Sequence, residues 1–446
     1  MYTQLHPITY YFYPLIEAQL EQSALASEFH SVLHDPAPGT RSLLYVHIPY
    51  CHDLCRFCPF HVRVTNDDGV YQRYTHALCA ELRMLAQLPS IAERQFDAVY
   101  FGGGSPSILS AEHLRIIFTE LSHRFKLRPS AELSFEGEPR TLSDEARLDL
   151  LREFGFQRVS FGLQTYDPVQ RERFNIAATL EDVDRCARNA RSRGFSDVNV
   201  DMMYDLPGQT VAGLREDLEK LGQAGFDSVD YYNLHYFAFP SSFKSAMESG
   251  AIPRKPDQET HFALFEEVRG RMGAMGYAYV GDQVFSRSAQ LCEYFTLLWG
   301  GGCGAHEAET VAVGASARGF LGGFAYMNEA DTATYLSRVE RGELPIQKIS
   351  SRLLTPENRG AAFMTKFLGI EKKHTRALAS INEQVWARWQ EWGLVEETPE
   401  SWRVTERGQL WTANMMLDTF EEGQRRLAQG SLSSLIRRPG ARTGSF

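Results

Sequence analysis

Six short β-like runs, at residues 43–48, 98–101, 132–135, 158–161, 198–201 and 229–233, alternate with amphipathic stretches of helical character. The helical stretches cover residues 71–88, 111–125, 143–154, 180–193 and 211–224. Alternation of this kind predicts βαβ units and a parallel sheet. Six repeats predict an α/β fold built as a partial or full parallel (β/α) barrel, not a short doubly wound sheet. Ser110, Ser143 and Thr210 stand where helix N-caps are wanted. Each run also ends in groups able to meet a ligand. Phe101 leads into Gly102-Gly103-Gly104-Ser105-Pro106, Phe135 into Glu136-Gly137-Glu138 and Phe161 into Gly162-Leu163-Gln164. The fifth run ends at Asp201, and the sixth leads through Asn233 and Leu234 to His235. Active sites of such barrels lie at the carboxyl ends of the strands.

Directly after the first run, Cys51, Cys55 and Cys58 form a C-x₃-C-x₂-C loop. Three thiolates on a short loop hold three irons of a [4Fe–4S] cluster and leave the fourth iron without a protein ligand. An open iron is a place where a small molecule binds and reacts. Seven cysteines, an odd number in a chain of 446 residues, argue against a disulfide framework and for a reducing compartment. The first residues lack the basic and apolar regions of a secretory signal, so a cytoplasmic location is expected. No run of eighteen apolar residues exists, so no membrane span is expected. A net charge of −10 argues against broad nucleic-acid binding.

Glycines at a strand end let a backbone approach a ligand closely, with amide and carbonyl groups free to bond it. The carboxylates Glu136 and Asp201 suit ribose hydroxyls or an ammonium group; helix capping or loop solvation is the alternative reading. Cys79 and Cys186 lie in amphipathic helices and read as core. Cys303, in Gly300-Gly301-Gly302-Cys303-Gly304, is a candidate thiol donor on a loop.

These residues carry a family resemblance. Tyr45-Val46-His47-Ile48-Pro49-Tyr50-Cys51 through Cys58, Gly102 to Pro106, Phe161 to Gln164, and Asp201 to Thr210 resemble the radical S-adenosylmethionine (SAM) enzymes. Within them the chain is similar to the oxygen-independent coproporphyrinogen III oxidase family over residues 41–330, and more loosely over 350–422. The resemblance implies a cluster that binds SAM through its methionine amine and carboxylate and reduces it to a deoxyadenosyl radical. It implies a second SAM beside the first, a small-molecule substrate, and a reduced flavodoxin- or ferredoxin-like electron donor. Carried over by position, Tyr45, Gly103 and Glu136 contact the cluster-bound SAM. Phe57, Gly104, Ser105, Gln164 and Asp201 contact the second, with Arg173 or Asn175 in the place of a family arginine.

The departures favour particular branches. Phe60 stands where the coproporphyrinogen enzymes carry a further cysteine, and Asp205-Leu206-Pro207 replaces their Gly-Leu-Pro. Segment 1–40 lacks an arginine-rich stretch for propionates, although His6, Tyr10, Tyr11, Phe12 and Tyr13 offer aromatic surface. Residues 313–328, with Phe135-Glu136-Gly137, resemble the radical methyltransferase, cyclopropanase and haem-utilisation branches more closely. There, one SAM yields the radical that takes hydrogen from the methyl of the second, and the methylene radical adds to an sp² carbon. His235, whose ordinary pKa suits proton transfer, and Tyr236 are the candidate catalytic groups. Coproporphyrinogen dehydrogenation and haem carriage are the alternatives within the family.

Towards the C-terminus, residues 353–368 and 377–392 read as helices, 393–396 and 402–405 as a hairpin, and a further helix follows from about 406. That order resembles a winged-helix-like α+β domain, taken here as a lid or scaffold because a fold does not fix function. The expected organisation is a substrate-facing segment at 1–40, the barrel at 41–340, the winged-helix-like domain at 341–424 and a flexible tail at 425–446.

Overall fold

Thirteen strands form one sheet in the computed structural model, which describes residues 1–7, 13–35, 39–236, 239, 241–353 and 355–437. Tyr10, Tyr11, Phe12 and the final stretch 438–446 lie outside the described residues. In chain order the strands are β1 (Ile16–Gln19), β2 (Arg41–Ile48), β3 (Gln95–Gly103), β4 (Lys126–Gly137), β5 (Arg158–Gln164), β6 (Asp197–Tyr204) and β7 (Ser228–Asn233). They continue as β8 (Ala278–Gly281), β9 (Val284–Ser286), β10 (Ala308–Val313), β11 (Arg318–Leu321), β12 (Phe324–Asn328) and β13 (Ile346–Ser350). Their order across the sheet is β1-β13-β12-β11-β10-β2-β3-β4-β5-β6-β7-β9-β8. The six expected strands are β2 to β7, adjacent and parallel, and β10 joins β2 as a seventh parallel strand. Antiparallel strands extend both edges, so the barrel is partial.

The helices follow their caps. Ser110 accepts the His113 N–H and Thr210 the Gly213 N–H, as expected. Ser143 does not cap: it closes the short helix Pro139–Leu142, and Asp144 accepts the Arg147 N–H to start Glu145–Glu153. Alternate residues of each strand serve two faces. Leu44, Val46, Ile48, Phe101, Phe135 and Phe161 pack under the helices on the outer face. The Phe118 ring sits 5.1 Å from Phe101 and 4.9 Å from Phe156.

The inner face is polar, and register sets it in rows. Tyr45, Tyr100, Ser134, Arg158 and Asp197 form one row. The next row holds Glu136, Ser160, Asn199 and Ser228, and the one beyond holds Gly162, Asp201 and Asp230. Below these, Glu132 accepts the backbone N–H groups of Glu293 (3.0 Å) and Tyr294 (3.4 Å) at the start of helix Glu293–Leu298. Phe295, Leu298, Phe363, Leu417 and Phe420 fill the concavity there, leaving the carboxyl ends of β2 to β7 for the site.

The terminal segments differ from expectation. Helix 377–392 is two helices, Thr375–Ser380 and Glu383–Glu391, because Asn382 caps the second through the Gln384 N–H. Helix 353–368 is shorter, Glu357–Ala362 followed by a 3₁₀ turn at Phe363–Thr365. The hairpin forms as β15 (Val395–Glu397) and β16 (Ser401–Val404), and β14 (Gly369–Glu371) adds a third strand beside β16. The described part of the tail lies in a helix, Glu422–Arg437, docked by the buried Ala428 and by Gln424, which donates to the Ser351 hydroxyl at 3.0 Å. The described part of segment 1–40 runs as a strap along the C-terminal unit and the sheet edge. Tyr2 donates to Asp418 (2.6 Å), Tyr13 lies 4.5 Å from Phe420, and β1 edges the sheet. A buried Lys366–Asp282 pair (2.7 Å) ties the C-terminal unit to the β8–β9 turn. Among the described residues no helix is long and apolar enough to cross a membrane.

Glu81, buried in helix Asp68–Ala86, accepts from the Gly314 N–H (2.8 Å), Asn328 Nδ2 (2.7 Å) and the Tyr335 hydroxyl (2.6 Å). Three donors gathered on one carboxyl join a helix to the β10–β12 wing. Glu81→Ala strands all three and is expected to cost about 2–3 kcal/mol. A thermal midpoint several degrees below wild type meets that expectation; an unchanged midpoint contradicts it.

Candidate functional site

The cysteine loop leaves the end of β2 at Pro49 and is rooted by close backbone contact with the end of β3. Gly104 donates to the Ile48 carbonyl and Ser105 to the Tyr50 carbonyl, each at 2.8 Å. A Cβ at Gly104 would lie 2.6 Å from the Tyr50 carbonyl oxygen. At Gly103, φ is +118° and a Cβ would lie 2.8 Å from the His47 ring. The triglycine run is thus needed for a seam between two strands. Tyr50 is wedged between Tyr71 and Tyr74, edge to face at 5.6 and 5.2 Å.

The rest of the loop is tied from its far side. Arg140 bridges Asp53 and Glu138, 2.6 Å to each. Asn175 donates to the Leu54 carbonyl (3.0 Å), the Arg56 N–H to the Phe174 carbonyl (2.9 Å), and the Arg56 guanidinium to the Arg173 carbonyl (3.1 Å). Between these ties Cys51, Cys55 and Cys58 form no disulfide, and each is half-buried. Burial, with the Cys58 thiol, Glu138 and Asp53, pushes Cys55 up to about 12, and Cys51 is raised further. Among the described residues no three His, Cys, Asp or Glu side chains gather to hold a metal ion. Three thiols spaced along one loop instead fit a multi-iron cluster, which takes one thiolate per iron.

Beside the loop, the carboxyl ends of β4 and β6 bring Glu136 and Asp201 into each other's field. Burial raises Glu136 to about 7, against the Tyr100 hydroxyl bond (3.3 Å) and Arg158. Burial and then Glu136 raise Asp201 to about 7. Burial also raises Asp230, which Arg158 (3.7 Å) and Asn199 (3.1 Å) partly offset. Arg158, bonded to Asp197 at 2.8 Å, is the countercharge of this cluster. Tyr45 meets His47 Nδ1 at 2.9 Å, and burial pushes the His47 imidazole down to about 3. Tyr294 stacks on Tyr100 at 3.7 Å and lies 6.4 Å from Tyr45.

The expected site residues divide. Tyr45, Gly103, Glu136 and Asp201 come together on the inner face beside the cysteine loop. Gln164 sits at a bulge with φ +72°, its amide folded over Gly162; a non-glycine residue held there is a strained position of the kind active sites use. Phe57 packs edge to face on Phe174 at 5.8 Å. Ser105 is buried and meets Ser107 (3.2 Å), so its hydroxyl is engaged within the fold. Arg173 donates to Gln170 (2.6 Å) and to the Pro207 carbonyl (3.3 Å). Tyr236 donates to the Asp205 carbonyl at 2.7 Å. His235 does not keep an ordinary pKa: burial, with Lys366, pushes it down to about 4, so it is neutral near pH 7. Cys303 borders a cavity of about 990 Å³ between Tyr279 and the small β14–β16 sheet, and no cysteine-loop residue lines it.

Arg140, Arg158, Tyr100, Asp230 and Tyr294 escaped the sequence reading. A signal existed for some: polar residues recur at every second position in Asp197-Asn199-Asp201 and Ser228-Asp230-Tyr232, which marks a polar face.

The family model for the radical SAM superfamily matches residues 45–236, the span from β2 through β7 that carries the cysteine loop and both carboxylates. Residues 45–236 are a radical SAM domain. Across a longer span the chain is 28% identical to the anaerobilin synthase of Escherichia coli O157:H7 over 404 residues, 88% of this chain and 86% of that protein. It is 26% identical to the heme chaperone HemW of Bacillus subtilis over 82% of this chain and 96% of that protein. It is 32% identical to the oxygen-independent coproporphyrinogen III oxidase of Paracoccus denitrificans, over 56% of this chain and 54% of that protein. The solved coproporphyrinogen III oxidase (HemN) from Escherichia coli has the same fold, with a TM-score of 0.77 at 21% identity, covering 92% of this chain and 96% of that one. A radical SAM domain implies a [4Fe–4S] cluster and SAM, which the three thiols and the neighbouring carboxylates of residues 45–236 suit.

Two outcomes follow from the geometry. Arg140→Ala releases the cysteine loop from Glu138 and is expected to shorten cluster retention after reconstitution by about tenfold or more; retention equal to wild type contradicts the role of the bridge. Because burial holds Glu136 near neutrality, a cationic ligand binds better as the carboxyl ionises. SAM affinity of the reconstituted protein should rise by about tenfold between about pH 6 and pH 8, and Glu136→Gln should flatten the rise. A flat wild-type profile in calorimetric titration contradicts it.

Proposed function

We propose that the chain is a radical SAM enzyme that transfers a carbon from a second SAM to an sp² carbon of a tetrapyrrole. The observation that carries this reading is the extent of the anaerobilin synthase match, 88% of this chain, against 56% for the coproporphyrinogen III oxidase of Paracoccus denitrificans. Phe60 in place of a further cysteine and the stacked Tyr100 and Tyr294 rings support it. With a [4Fe–4S] cluster on Cys51, Cys55 and Cys58 and SAM bound, the site is supplied with a deoxyadenosyl radical. Tyr45, Gly103 and Glu136 hold the methionine end and ribose of the cluster-bound SAM, Glu136 as the partner of a positive or hydroxyl group. Phe57, Gly104, Gln164 and Asp201 hold the second SAM, and Ser105, bonded to Ser107 and Tyr50, fixes the turn that presents Gly104. His235, neutral in the physiological range, offers the substrate an uncharged hydrogen-bonding imidazole, and Tyr236 fixes the Asp205 turn beside it. Arg173 anchors the same edge through Pro207. The electron comes from a reduced flavodoxin- or ferredoxin-like carrier.

The match to HemW across 96% of that protein favours haem carriage as the second reading. Anaerobic reconstitution with iron, sulfide, methyl-labelled SAM, dithionite and haem separates the two. Deoxyadenosine and S-adenosylhomocysteine should form together, with label in the tetrapyrrole product, and Cys55→Ala should lose the brown absorbance and both products. Haem binding with no deoxyadenosine overturns the catalytic reading in favour of carriage. Deoxyadenosine without label transfer overturns carbon transfer in favour of substrate oxidation.

A further inference from the structure

Asp230 is an inward carboxyl that no step above uses. It lies on β7 directly opposite Asp201 of β6, in the same row and on the same face. It is 3% exposed. One of its oxygens, Oδ2, accepts from the Asn199 amide at 3.1 Å and lies 3.7 Å from the Arg158 guanidinium. The other, Oδ1, is buried and meets no hydrogen-bond partner among the described residues.

The charges around it do not balance. In the three inward rows on β2 to β7, Arg158 is the one arginine or lysine among the described residues, and it faces Asp197, Glu136, Asp201 and Asp230. Asp197 takes that guanidinium at 2.8 Å, and its other oxygen accepts from the Ser228 hydroxyl at 2.6 Å. Glu136 meets the Tyr100 hydroxyl at 3.3 Å. Burial raises Asp230, Arg158 offsets part of the rise, and the charge of Asp201 adds to it. Two adjacent carboxyls on a buried face, with the nearest guanidinium engaged by a third, leave a surplus of negative charge. A ligand that brings a positive charge relieves that surplus, and an uncharged ligand of similar shape does not.

We infer that Asp230 is a specificity-determining residue of the second-SAM side, supplying the charge by which this face takes a sulfonium in preference to an uncharged thioether. It acts from behind Asp201, through the field and without contact to the ligand. The inference rests on the two-SAM reading above and adds to it a means of exchange. SAM is held by its charge. S-adenosylhomocysteine, which lacks both the methyl group and the charge, is let go.

Equilibrium dialysis of the anaerobically reconstituted chain with labelled SAM, competed by unlabelled S-adenosylhomocysteine, tests this. Two SAM molecules should bind per chain, and the component lost in Asp201→Ala marks the second site. At that site wild type should prefer SAM to S-adenosylhomocysteine by about tenfold or more, the order expected for one partly buried charge. Asp230→Asn keeps the shape and removes the charge. It should bring the preference below about threefold while leaving S-adenosylhomocysteine affinity within about twofold of wild type. Equal wild-type affinities for the two ligands overturn the inference without recourse to any variant. An Asp230→Asn chain that keeps the preference overturns it too, whether both affinities hold or both fall. A single SAM per chain overturns the two-SAM reading and the inference with it; two SAM molecules without discrimination overturn the inference alone.

Discussion

The backbone of Gly103 and Gly104 lies against the His47 ring and the Tyr50 carbonyl, and the position of the cysteine loop follows from that contact. Two parallel strands approach so closely at their ends that neither residue has room for a Cβ. The two N–H bonds from Gly104 and Ser105 then fix where Cys51 begins. Arg140 and Asn175 hold the other side of the loop, so it is clamped between the ends of β3 and β4 and the turn after helix Pro168–Arg173. A loop carrying three thiols has few internal contacts of its own. Its rigidity is supplied by the strand ends around it.

The inner face of the sheet follows from the same geometry. Once the carboxyl ends of the strands surround a site, the inward rows have no apolar layer to meet there, and polar side chains occupy them. Glu136, Asp201 and Asp230 are held against desolvation by Arg158, the Tyr100 hydroxyl and the Asn199 amide. That compensation is incomplete, which is why the carboxyls sit near neutrality instead of in their ordinary range. Carboxyls left poised in this way respond strongly to a positive ligand.

Much of this was legible from residue patterns. The six parallel strands, five of the helices and the glycine and carboxylate positions at the strand ends follow from period and spacing alone. Local signals failed where two candidates competed, as with Ser143 and Asp144, or where one capping residue split a helix, as with Asn382. They failed more completely where contacts span the chain. Nothing near Tyr2 announces Asp418, and nothing near Arg140 announces Asp53, because each pairing depends on how the whole sheet is laid out. The depressed pKa of His235 has the same origin: it comes from burial and from Lys366, a residue supplied by a different part of the chain.

The central claim is that the seam presents three thiolates to a cluster whose remaining iron takes a small molecule. Electron paramagnetic resonance of the reconstituted, dithionite-reduced chain, recorded with and without SAM, tests it most directly. The account predicts a [4Fe–4S]⁺ signal whose g-values change when SAM is added, since the ligand binds the open iron. A reduced-cluster spectrum that SAM leaves unchanged would contradict it.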